Sequence, residues 1–260
     1  MIIVKNSFKI APIALLLMTT FVQAKTYNEE FTVANGGLLK LVTDVGAIDI
    51  ETHAKEMVLV EVEISGKNED DMSVHFKKNG DNVSIKGDFD RGGFGFGNSH
   101  IRVTYKVTLP ENYNVDLDTS GGSIEIENLT GKVDAHTSGG SISVEDVEGD
   151  VNIKTSGGSL DLDNIIGKIN AKTSGGSIKL KLPTNPTEDS KVKTSGGSIT
   201  AYLAKDVAVN LSAKTSGGRV SSEFAVNGTT KKRSIVGTIN GGGPELVLKT
   251  SGGSVRIKEI

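Results

Sequence analysis

The chain has 260 residues, a formal charge of −3, no cysteine and no tryptophan, with 32 glycines and only 5 prolines. Without cysteine there is no disulfide scaffold, no thiolate metal site, no cysteine nucleophile and no lipid-modified cysteine. A mildly acidic chain gains no electrostatic help in binding phosphates, so nucleic acid is not expected as a partner.

The N-terminus reads as an export signal. Lys5 and Lys9 give a positive start, Ile10 to Met18 a short apolar run, and Val22-Gln23-Ala24 resembles a small-residue cleavage site. The run is shorter than the roughly 20 residues a spanning helix requires. Residues 1–24 are therefore expected to be a signal peptide. The mature protein is expected in the periplasm, outside the cell or on its surface, with no membrane span after cleavage. Cleavage moves the formal charge from −3 to −5, because two lysines and no acids leave.

Residues 25–110 have β character. Met57 to Ile64 and Ile101 to Leu109 alternate apolar and polar side chains, the period of a strand with one buried face. Asn79-Gly80, between Ser73–Lys77 and Val83–Lys86, is a hairpin signal. This stretch is read as an N-terminal β region capping the C-terminal half of the chain, since an open stack of strands needs its edges covered. The unusual segment Arg91-Gly-Gly-Phe-Gly-Phe-Gly-Asn98 offers Phe94 and Phe96 either to a partner or back onto the sheet.

From residue 111 onward the chain repeats. Thr-Ser-Gly-Gly begins at Thr119, Thr137, Thr155, Thr173, Thr194, Thr215 and Thr250, at spacings of 18, 18, 18, 21, 21 and 35. A worn copy, Thr43-Asp44-Val45-Gly46-Ala47-Ile48-Asp49-Ile50, lies near the start. Each 18-residue unit divides into two nines, each with glycine fourth and apolar residues sixth and eighth. One unit is thus two short strands joined by turns, and it buries its apolar face only by stacking on its neighbours. Stacking puts Ile124, Ile142, Leu160 and Ile178 in one interior column about 4.8 Å apart, with Ile126, Val144, Leu162 and Leu180 beside it. The period excludes a helical bundle. Three-residue insertions enlarge the turns around Pro183 to Asp189 and Lys205 to Ala208, and the 35-residue gap is read as a divergent coil. The final coil, Ser251 to Ile260, is left free for end-to-end stacking. The expected fold is all-β: a single-stranded parallel β-helix, or β-solenoid, of 18-residue two-strand coils over residues 111–260, capped by an irregular N-terminal β region.

The pattern Ser-Gly-Gly-Ser-Ile-x-Ile, with Gly-Lys/Asp-Val-x-Ala-x-Thr between copies, resembles bacterial proteins of the DUF4097 family. Val107-Thr-Leu-Pro110 leading into Val115-Asp-Leu-Asp-Thr-Ser-Gly-Gly122 is similar to the way those proteins enter their repeats. The resemblance implies an exported parallel β-helix, an adhesin label given by analogy, and no catalytic residues.

Calcium ladders in nonapeptide solenoids need aspartate two residues after the last turn glycine, and here that place holds Ile124, Val133, Ile142 or Val151. Glu125, Glu127, Glu145, Asp161 and Asp163 face outward, and same-face acids such as Glu125 and Glu127 on a flat strand without tryptophan make a poor cleft for the paired carboxylates of glycoside hydrolysis. His53, His75, His100 and His136 lack ligand spacing. No cofactor and no enzymatic activity are expected, although a polysaccharide-processing β-helix stays the alternative to test. His136, Lys154, Lys172, Lys193, Lys214 and Lys249 precede successive repeat threonines. They form either a solvated face that discourages sideways aggregation or a strip for an anionic partner flanked by hydroxyls. The candidate partner-binding residues are Lys154, Lys172, Lys193, Lys214, Phe94 and Phe96. The partner would be an acidic glycan or an envelope protein, and the protein a non-catalytic, adhesin-like scaffold or a periplasmic structural or stress component.

Overall fold

The computed structural model describes residues 24–66, 69–90 and 101–260. The signal-peptide reading, apart from Ala24, and the Phe94/Phe96 segment lie outside them. Among the described residues there is one short 3-10 turn, Glu69–Asp71, and no α-helix.

Alternation along each strand sets the rest. Val151–Thr155 buries Val151, Ile153 and Thr155 and turns Asn152 and Lys154 outward. Side chains on a strand point alternately to its two faces, so one face of every such strand lines the core. Each coil contributes one strand to sheet A, of eleven strands, and one to sheet B, of twelve. The inner faces of the two sheets share one apolar core. The protein is a β-solenoid. Successive coils pair parallel and in register: Ile124, Ile142, Leu160 and Ile178 stand in line, as do Ile126, Val144, Leu162 and Leu180. These are the two columns expected from the repeat.

The Thr-Ser-Gly-Gly corner locks one coil to the next. Thr137 Oγ1 donates to the Gly122 carbonyl at 2.8 Å and accepts from the Gly140 amide at 3.2 Å. The same pair of bonds recurs at Thr155, Thr173 and Thr194. The threonines are buried, and the serines that follow them, Ser138, Ser156, Ser174 and Ser195, are exposed along the corner. The second glycine is compulsory, since a Cβ on Gly158 would lie 2.0 Å from the Gly140 carbonyl oxygen. A second device escapes the nine-residue description. Asn128, Asp146 and Asn164 take positive φ of 57°, 53° and 52° inside their strands. Asparagine and aspartate tolerate that conformation better than other non-glycine residues. The kink brings Leu129, Val147 and Ile165 back into the core.

The worn repeat is a coil in register. Leu38–Thr43 lies parallel to Asn114–Thr119 with Thr43 opposite Thr119, and Ala47–His53 places Ile48 opposite Ile124. Beyond it, Asn82–Phe89 extends sheet B parallel and Met72–Asn79 closes it antiparallel. Ile101–Pro110 extends sheet A parallel, followed by antiparallel Met57–Gly66 and Lys25–Thr32. The hairpin turn falls on Gly80 and Asp81, one residue later than the Asn-Gly signal suggests.

The C-terminal end departs from chain order. Glu245–Thr250 lies between Ser190–Thr194 and Val209–Thr215, and Val255–Glu259 lies between Ile199–Leu203 and Val220–Ser222. The final coil is therefore slotted inside the stack with both edges paired, which removes it as a surface for end-to-end stacking. The 35-residue gap holds a hairpin, Asn227–Lys231 with Ser234–Ile239, laid antiparallel on Val209–Thr215. That reversal returns the chain to the open edge of the preceding coil.

Candidate functional site: a lysine column on sheet B

On the outer face of sheet B, register puts His136, Lys154, Lys172, Lys193, Lys249 and Lys214 in one row. The slotted final coil sets this order, so Lys249 separates Lys193 from Lys214. One basic side chain stands at each strand spacing, about 4.8 Å. Lys191 flanks the row two residues before Lys193. Its neighbours at that level are Asn170 and Val247.

None of these lysines has a carboxylate within ion-pair distance among the described residues. Partial burial, and then the neighbouring Lys191, Lys249 and Lys172, hold the Lys193 ammonium below the usual lysine range. Like charges a few ångströms apart weaken one another's ionisation, and an anion laid along the row relieves this. His136 closes one end, its Nδ1 donating to the Lys154 carbonyl at 3.0 Å. Beside the row an amide ladder occupies the next outward position, Asn152 donating to Asp134 at 3.0 Å and Asn170 to Asn152 at 2.8 Å. The exposed corner serines lie two residues beyond each lysine. The structure thus brings Lys154, Lys172, Lys193 and Lys214 together.

Charge is also segregated along the stack. Residues 25–163 carry 26 Asp and Glu against 12 Lys and Arg, a formal −14, whereas residues 164–260 carry 6 against 15, a formal +9. A count by halves would have found this in the sequence. On sheet A the acidic end forms a shallow cleft of about 770 Å³, lined in part by Asp49, Glu51, Glu61, Lys106, Glu125 and Glu127. Burial raises the Asp49 carboxyl above the ordinary aspartate value, against the pull of Lys106. Among the described residues no group of three or more His, Cys, Asp or Glu is placed to hold a metal ion, and no helix is long and apolar enough to cross a membrane.

The Toastrack DUF4097 family model matches residues 39–165 and again residues 114–258. The chain belongs to that family. The two Toastrack matches overlap over residues 114–165, as expected of a model that can slide along a stack of equivalent coils. A search of curated proteins finds no match. Among solved structures, a candidate cell adhesion protein from Clostridium sporogenes aligns at 15% identity and a TM-score of 0.44, covering 92% of this chain and 100% of that one. A candidate adhesin from Parabacteroides distasonis aligns at 14% identity and 0.39, covering 92% and 98%. A candidate lipid binding protein from the same organism aligns at 14% and 0.34, covering 90% and 96%.

Proposed function

We propose that the protein is a non-catalytic scaffold of the cell envelope or the space beyond it, whose lysine column binds an extended anionic polymer in an adhesin-like way. The observation that carries this reading is the row of five lysines in register, none paired with a carboxylate among the described residues. A repeating ligand fits a repeating row better than a small molecule does, because each added unit meets the same contact. Exposed serines along the adjoining corner add hydroxyl donors.

The test replaces Lys154, Lys172 and Lys193 with glutamate and measures binding to a polyuronate and a sulfated polysaccharide. The expected result is at least a roughly hundredfold loss of affinity with unchanged thermal unfolding, and weakening of wild-type binding by salt. Unchanged binding in the triple variant would sink the reading. Loss on replacing Lys179, Lys181, Arg256 and Lys258 instead would move the site to sheet A.

A further inference from the structure

The two outward columns of sheet A reverse their charge at one strand boundary. The first runs Glu125, Ser143, Asp161, then Lys179, Thr200, Arg256. The second runs Glu127, Glu145, Asp163, then Lys181, Tyr202, Lys258. Counting outward from the boundary, Asp161 answers to Lys179, Ser143 to Thr200 and Glu125 to Arg256. In the second column Asp163 answers to Lys181, Glu145 to Tyr202 and Glu127 to Lys258. Acid corresponds to base and hydroxyl to hydroxyl throughout, except that Glu145 meets a phenol, itself a hydrogen-bond donor. The slotted final coil completes the pattern, since it delivers Arg256 and Lys258 to this place in the row.

We propose that sheet A is the interface of a homodimer, two copies packing face to face about a two-fold axis parallel to the strands and lying between Leu160–Ile166 and Ile178–Leu182. A half-turn about that axis reverses the order of the strands and keeps their direction. Each column then meets its own reversed copy: Asp161 faces Lys179 of the second copy, Glu125 faces its Arg256 and Glu127 its Lys258. A two-fold interface requires a patch complementary to itself, and an antisymmetric row of charge is one. An axis along the stack would set like charge on like. Aligned packing of two sheets keeps strand directions within about 30°, as this axis does.

Within a single copy the inner pairs are already made, Lys179 to Asp161 at 3.1 Å and Lys181 to Asp163 at 2.8 Å. The outer charges Glu125, Glu127, Glu145 and Arg256 have no ion-pair partner among the described residues, and Lys258 lies 5.7 Å from the Tyr202 ring centroid. The dimer supplies partners for Glu125, Glu127, Arg256 and Lys258. Six strands at about 4.8 Å make the contact about 24 Å long and only two columns wide, below the roughly 800 Å² per partner of a standard interface. The association is accordingly weak and salt-sensitive. The lysine column points outward from the opposite sheet, so a dimer leaves it free, and the proposal does not rest on polyanion binding.

Sedimentation equilibrium of the purified protein tests it. At low ionic strength the wild type dimerises, and its dissociation constant rises at least about tenfold at high salt. Glu125→Lys with Glu127→Lys, and separately Arg256→Glu with Lys258→Glu, each give monomers. Mixing the two variants restores a dimer, because each reversed end meets the other's. A wild type that stays monomeric at low salt overturns the proposal. So do variants that dimerise alone, or monomeric variants whose mixture fails to associate.

Discussion

In the repeated coils the second corner glycine faces backbone, whereas in the N-terminal strands Gly87 faces a tyrosine. A Cβ on Gly158 would sit 2.0 Å from the Gly140 carbonyl oxygen, and the same clash recurs at Gly140, Gly176 and Gly197. A Cβ on Gly87 would sit 2.0 Å from the Tyr105 hydroxyl and one on Gly46 2.8 Å from the Tyr105 ring, whereas one on Gly37 would meet the Asp81 carbonyl oxygen at 2.3 Å before the Tyr113 ring at 2.5 Å. The coils are held by a repeated backbone approach, so their tolerance is set by the spacing of the stack. The N-terminal strands are held by two buried rings, so their tolerance is set by side chains that can be trimmed. The contact surface differs although the threonine column runs through both regions, Thr43 standing beside Thr119 on one side and Gly87 on the other.

The sharpest way to break this comparison is Gly158→Ala, expected to cost about 4 kcal/mol or more, because neither backbone can move without disturbing both neighbouring coils. Thermal unfolding measures it. Gly157→Ala, whose Cβ would lie 3.5 Å from the Gly139 oxygen, should fall within about 0.5 kcal/mol of wild type. Equal costs for the two would refute the backbone account.

Gly87→Ala should cost about 3 kcal/mol. Here a second substitution relieves the strain: in a Tyr105→Phe background the cost should drop by about 1 kcal/mol, a coupling that a double-mutant cycle reads directly. Additive costs would mean that Met72 or Thr43, also close to that position, controls the clash. Thr155→Val keeps the shape but leaves the Gly140 carbonyl and Gly158 amide without their hydroxyl partner, a loss of about 1–3 kcal/mol measured by chemical denaturation.

The gentlest test is pH. Burial pushes both Tyr105 and Tyr113 up to about 12, Tyr105 also sharing a hydrogen bond with Thr43. Unfolded phenols ionise near 10, so the stability tied to the neutral rings is complete below that pH and is lost as pH climbs through 12. Hydrogen exchange should show alkaline opening first in the strands Leu38–Thr43, Asn82–Phe89 and Ile101–Pro110, with the central coils opening later. Simultaneous loss everywhere would mean that the two regions unfold as one unit.

The central coils were legible because each residue repeats its own environment: glycine fourth and apolar sixth and eighth fixed the columns through Ile124 and Ile126. Thr43 to Ile50 was legible for the same reason. The kinks at Asn128, Asp146 and Asn164 were harder, since asparagine and aspartate are equally at home in ordinary turns and the apolar positions alone suggest an uninterrupted strand. The inward turn of the repeat threonines was hidden because a hydroxyl beside glycines reads equally as a surface group. The place of Lys249, Arg256 and Lys258 was not legible at all. It depends on the path of residues 223–244, where no periodic signal says that the chain doubles back. The lysine column itself emerged from spacing, and its lack of carboxylates from the geometry of sheet B.

The slotted final coil also constrains how the protein can be made. Residues 209–222 precede residues 245–259 in the chain, yet in both sheets the later strands stand between them and the preceding coils. A chain folding from its N-terminal end can add coils one at a time as far as Leu203 and must then wait. Until the last strands arrive, the preceding stretch lacks the parallel partners it has in the finished stack. Interrupted synthesis therefore leaves the stack unclosed, and a fully closed stack certifies that translation passed Glu259.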